Sequence, residues 1–81
     1  MDIDQTLIKV TDLGLAAALV SCGFKLCATN RDRNGRVYFA FKHVEYLAEA
    51  TNEYWADTLN VLARSYSDNI KMLKSRIYAD E

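Results

Sequence analysis

The segment RNGRVYFAF, residues 33–41, decides how this chain folds. Asn34-Gly35 suits a two-residue hairpin turn, because both residues tolerate positive φ. With that turn Arg33 pairs with Arg36, and counting outward sets Arg31 opposite Tyr38, Asn30 opposite Phe39 and Ala28 opposite Phe41. One face of the predicted hairpin then holds Phe24, Leu26, Ala28, Val37, Phe39 and Phe41. The other holds Lys25, Cys27, Thr29, Arg31, Arg33, Arg36, Tyr38, Ala40 and Lys42. A one-residue slip would mix the two sets, so their segregation supports a hairpin over residues 24–42.

Upstream, Thr6–Val10 is short and β-favouring, which predicts a strand. Thr11 then reads as a helix N-cap, with Asp12 near the positive end of the helix dipole. The helix it starts, LGLAAALVSC (13–22), is apolar and alanine-rich, as in a helix that packs closely on its neighbours. Gly23 is the expected left-handed stop, and Phe24 beyond it can meet Leu19 as in a Schellman ending.

Downstream, the period becomes helical from Val44. Val44, Leu47, Ala48, Thr51, Tyr54 and Trp55 share an arc, while Glu45, Glu49 and Glu53 line the other side and Asp57 continues their row. A break is predicted at Asp57–Asn60, with Asn60 capping a last helix that runs to about Ala79. Its apolar stripe is Leu62, Tyr66, Ile70, Leu73 and Ile77. The order β-α-β-β-α-α predicts an α+β fold, a three-stranded sheet with its helices packed on one face. The strand–helix–strand start predicts that the first two strands run parallel.

The motifs at the two ends look familiar. VTDLGLAAALVSCGF (10–24) resembles the opening of a small bacterial and phage domain family of unknown function, whose members show a threonine-aspartate-leucine start and an alanine-rich first helix. EYWADTLNVLARSYSDNIKMLKSRIY (53–78) resembles that family's closing segment, with its tyrosine-tryptophan pair and its lysine-serine-arginine. The resemblance implies one compact domain of bacterial or mobile-element origin. It transfers no activity and no catalytic residue.

With 81 residues the chain is read as a single domain, 1–81. Such a chain buries only about 60–65% of its unfolded surface. Its cysteines are Cys22 and Cys27, without zinc-type spacing. Sparse thiols and no signal-peptide pattern lead us to expect a reducing, cytoplasmic setting. No apolar run nears the ~20 residues of a membrane span, so no membrane partner is expected.

The formal charge of −1 gives no global pull toward nucleic acid, but the charge is unevenly spread. Residues 25–43 carry five bases and one acid, whereas residues 44–81 carry seven acids and four bases.

Catalytic chemistry finds little support. The single histidine, His43, sits where strand gives way to helix, and Cys27 beside Lys42 reads as sheet packing. The Glu45, Glu49, Glu53 row reads as a solvated face, because carboxylates one turn apart repel. We therefore expect a non-enzymatic protein with no catalytic, cofactor-binding or metal-binding residues, and no cofactor.

Two binding roles remain. A protein-interaction or self-associating module is the first. The last helix's stripe is close to coiled-coil spacing, and Tyr46, Val61, Met72 and Tyr78 lie off the buried arcs. An acidic helix row and a basic sheet face on one molecule could also pair between copies. The alternative is a nucleic-acid-binding accessory protein. Its candidate contacts are Lys25, Arg31, Arg33, Arg36, Tyr38 and Lys42, arginines clamping phosphates and the tyrosine stacking on a base. The RNA-recognition motif is not matched, since Val37 stands where its glycine belongs.

Overall fold

A computed structural model describes residues 6–79. Residues 1–5 and 80–81, which the single-domain reading includes, lie outside the described residues. The elements are β1 (Leu7–Val10), α1 (Leu13–Ser21), β2 (Leu26–Arg31), β3 (Val37–Lys42), α2 (Leu47–Trp55) and α3 (Ala63–Ala79). The predicted α+β class and β-α-β-β-α-α order are therefore present.

The sheet order is β1-β3-β2, and β3 runs antiparallel to both neighbours. It follows that β1 and β2 are parallel, as the strand–helix–strand start implies, with β3 inserted between them. β3 takes the centre because its side chains are buried on both sides. Phe39 and Phe41 face the helices, and Ala40 on the other side is also buried between Lys9 of β1 and Ala28 of β2. The molecule is only 19 Å thick in its shortest dimension, two layers deep. Its helices thus cover one sheet face. No helix among the described residues is long and apolar enough to cross a membrane.

α1 is the innermost helix. Leu15 through Leu19 are all buried, three alanines among them, so α2, α3 and the sheet approach it closely. Its N-cap is Asp12, not Thr11: Asp12 is extended, and its carboxylate accepts the Leu15 N–H at 2.8 Å. A carboxylate is the stronger acceptor and also suits the helix dipole, so the helix starts one residue later than expected. The far end is the predicted Schellman motif. Gly23 has φ +100°, its N–H donates to the Val20 carbonyl, and the Phe24 N–H donates to the Leu19 carbonyl at 3.1 Å. Asn69 of α3 donates to the Ser21 hydroxyl at 2.9 Å, tying α3 to the end of α1.

The hairpin is present, but its turn and register differ from expectation. The loop has three residues, Arg33-Asn34-Gly35, closed by a Gly35 N–H to Asp32 carbonyl bond of 3.0 Å and an Asp32 N–H to Arg36 carbonyl bond of 2.9 Å. Asp32 decides this. Its carboxylate accepts from the Asn34 and Arg36 amides, at 2.9 and 3.0 Å, which folds a tight turn and leaves only Gly35 left-handed, at φ +81°. Arg31 therefore pairs with Val37, Asn30 with Tyr38 and Thr29 with Phe39. A bulge between Leu26 and Ala28 restores Leu26 to the core face opposite Phe41. Hence Thr29 and Arg31 move to the helix side of the sheet, while Ala28 moves to the open side.

The helical hairpin needs similar corrections. α2 begins at Leu47, and its inward stripe is Leu47, Ala50, Thr51 and Tyr54, spaced i, i+3, i+4, i+7. Val44, Ala48 and Trp55 are exposed rather than on the buried arc. α3 begins at Ala63, not after an Asn60 cap, and Leu62 lies ahead of the helix and is exposed. The rest of the predicted stripe packs on the core, with Leu73 fully buried and Tyr66, Ile70 and Ile77 half-buried.

Candidate functional site

The open sheet face holds only part of the predicted contact set. Tyr38 and Lys42 lie there by alternation with Phe39 and Phe41. Lys25 sits beside Lys42, whose amide donates to the Lys25 carbonyl at 3.4 Å. Arg33 is in the turn and Arg36 at its base, both exposed. Arg31 leaves the set. It lies on the helix side, where its guanidinium donates to the Gly35 carbonyl at 3.0 Å and reaches the Ile77 carbonyl at 3.4 Å. Positive charge at the C-terminal end of α3 is favourable there. Lys9, which sequence reasoning missed, joins the face, and its ammonium stands 4.8 Å above the Tyr38 ring. That contact covers the ring a base would stack on.

A second site forms where the ends of three helices meet; the sequence names several of its residues, among them Tyr54, Trp55, Asp57, Val61 and Tyr66, but does not bring them together. It starts from Gly14. A Cβ at this position would stand 2.5 Å from the Tyr54 hydroxyl and 3.1 Å from that of Tyr66. Glycine therefore lets both tyrosines reach over the start of α1, close to the capping carboxylate of Asp12. The two hydroxyls converge there. Burial first, then the hydrogen bond and charge of Tyr66, then the Asp12 carboxylate, push the Tyr54 pKa above its ordinary value.

Beside this pair opens a notch of about 400 Å³. Its walls are Tyr54 and Trp55 from the end of α2, Tyr66 from the first turn of α3, and Leu59 and Val61 from the connection between them. Ala18 of α1 forms its floor. The Tyr54 and Trp55 rings stand nearly perpendicular, at 80°, with centroids 5.0 Å apart. Trp55 is 61% exposed and Leu62, next to Val61 in the chain, 76% exposed.

Asp57 completes the rim. It ends α2 in a second Schellman motif, its N–H donating to the Tyr54 carbonyl and the Thr58 N–H to the Glu53 carbonyl at 2.9 Å. Glycine normally fills this place, yet Asp57 holds it at φ +64°. A non-glycine residue there is strained, and a carboxylate at the negative end of a helix is unfavourable.

The described family "Domain of unknown function (DUF5659)" matches residues 5–79. The chain belongs to the DUF5659 family. The match spans both the alanine-rich first helix and the tyrosine-tryptophan segment. No match was found among curated proteins or among solved structures.

Among the described residues of this DUF5659 domain, no group of three or more His, Cys, Asp or Glu side chains is placed to hold a metal ion. Cys22 is exposed, and its thiol pKa is raised by partial burial and by the neighbouring Glu53. The notch offers aromatic surface, an apolar floor and one carboxylate, which is equipment for recognition. One sequence feature bears on it without locating it: Gly14 is an isolated glycine inside a helical pattern, which commonly marks close packing.

Proposed function

We propose that this domain is a non-catalytic protein-interaction module that binds a peptide segment of its partner in the notch between α1, α2 and α3. The carrying observation is the pairing of an exposed tryptophan with a preformed concave wall. Trp55 is 61% exposed and lies beside Tyr54, Tyr66, Leu59 and Val61. Interfaces draw most of their energy from a few aromatic anchors set in pockets. Covering Trp55 and Leu62 with a partner would contribute about 1.5–3 kcal/mol for each side chain fully buried.

Selection from a random displayed peptide library tests this. Peptides enriched on the wild-type domain should lose binding on Trp55→Ala, a change at an exposed position that leaves the core intact. Peptides that bind both forms equally, or no enrichment at all, would contradict the proposal. Self-association is another form of the reading, with a second copy as partner, and predicts a solution mass above that of the monomer.

The open sheet face supports a second reading, nucleic-acid binding. Lys9, Lys25 and Lys42 stand on it, with Arg33 and Arg36 at its end. Affinity for oligonucleotides should then fall with salt and on changing Lys9, Lys25 and Lys42 to glutamate. The Lys9–Tyr38 contact and the turning away of Arg31 rank this reading second.

A further inference from the structure

We infer that the notch is built for an arginine side chain of the partner peptide, its guanidinium stacked on the aromatic walls and paired with the Asp57 carboxylate. This rests on the notch being the interaction site and adds the chemistry it recognises. Three aromatic rings line the notch, and ring faces are the negative ends of aromatic quadrupoles. Among the described residues that line it, Asp57 carries the one formal charge. Asp12 adds a second negative charge behind the Tyr54 and Tyr66 hydroxyls. The site is therefore complementary to a cation with an apolar stem.

The position of Asp57 strengthens the argument. Its backbone is left-handed and its charge opposes the α2 dipole, so the residue is unfavourable twice over in the free domain. Asparagine would suit the same backbone without the charge, and glycine would relieve both. Strain of this kind gathers at ligand clamps, and a cation seated against Asp57 gives the carboxylate a partner.

The choice of arginine follows from shape. The Tyr54 and Trp55 rings pack edge to face at 80° and both line the notch with Tyr66, so aromatic surface is available in more than one plane. A guanidinium is planar, weakly hydrated, stacks on aromatic rings and can hold a carboxylate through two N–H donors. An ammonium is compact and strongly hydrated, and gains less in an open notch.

The sole tryptophan of the chain lines the notch, so its fluorescence reports occupancy directly. Titration with N-acetyl-argininamide should shift Trp55 emission saturably. N-acetyl-citrullinamide, the uncharged analogue of the same shape, should bind on the order of tenfold more weakly. Asp57→Asn should narrow the gap between the two affinities, leaving the part due to the rings, while circular dichroism and the thermal transition show an intact fold.

Equal affinity for the two probes in the wild type, a preference untouched by Asp57→Asn, or no shift with either probe would overturn the inference. Displayed peptides that require Trp55 yet lack arginine would overturn it while leaving the interaction site in place. An absence of any Trp55-dependent peptide would remove both.

Discussion

Replacing Asp57 with glycine separates what this residue does for the fold from what it does for a partner. In the free domain two terms favour the change. Left-handed backbone costs an L-residue about 1–2 kcal/mol, with aspartate at the low end. A carboxylate at the negative end of a helix costs about 0.3–1 kcal/mol. One term opposes it, because glycine gives the unfolded chain more freedom, worth about 0.5–1 kcal/mol. No contact is lost that would weigh on the other side, since Asp57 is exposed and at φ +64°. The net is a stabilisation of about 1 kcal/mol, and in a domain of this size each kcal/mol moves Tm by about 4–8 °C. Thermal melts and urea titrations of the two proteins measure it, with an unchanged urea slope showing that only stability moved. Binding of a notch-dependent peptide should fall in the same variant. A Tm that drops or stays constant would refute the reasoning, because it would mean that the carboxylate contributes to the free fold.

Other expectations follow from individual contacts. Thr29 Oγ1 is buried with no hydrogen-bond partner, so Thr29→Val should stabilise the domain by about 1 kcal/mol in urea denaturation; the effect would be near zero if Thr29 stood on the open face. Asp32→Ala removes the acceptor of two turn amides and should lower stability by about 1–2 kcal/mol. Gly14→Ala would gain about 1 kcal/mol of helix propensity, but the new methyl meets the Tyr54 hydroxyl at 2.5 Å. We expect a net loss of about 1 kcal/mol from overpacking, with a change in Trp55 emission as Tyr54 shifts. The Tyr54 pKa is raised in the fold above its ordinary 10.0, so the folded state holds this proton more tightly than the unfolded chain. Its contribution is therefore complete below pH 10 and is lost as pH rises through the folded value. Stability measured from pH 9 to 11 should fall less steeply in Tyr54→Phe.

The architecture was legible because most local signals agree with it. The apolar 13–22 run with Gly23 behind it, the Asn-Gly turn and the change to helical period after residue 43 each specify an element. Asn34-Gly35 alone suggests a two-residue turn, whereas the Asp32 carboxylate selects the three-residue loop and moves the pairs from Ala28 to Arg31 by one. That single residue puts Arg31 on the helix side, at the end of α3, whereas Lys9 meets Tyr38 through the separate pairing of β1 with β3. The arc of α2 was misplaced because Val44 and Trp55 look like core in a wheel, whereas the helix starts at Leu47 and turns Ala50 inward. The notch was not legible, since it depends on Gly14 admitting two tyrosines from α2 and α3, more than 35 residues away in the chain. Sequence spacing shows the aromatics, but only tertiary packing shows that they meet.

The account stands most directly on where a bound peptide touches the domain. A peptide selected on the wild-type protein, titrated into isotope-labelled domain and followed by NMR, maps that contact residue by residue. The account predicts shifts centred on Trp55, Asp57, Leu59, Val61 and Tyr66, with Lys9, Lys25 and Lys42 unmoved. Shifts centred on the open sheet face, with the notch silent, would contradict it.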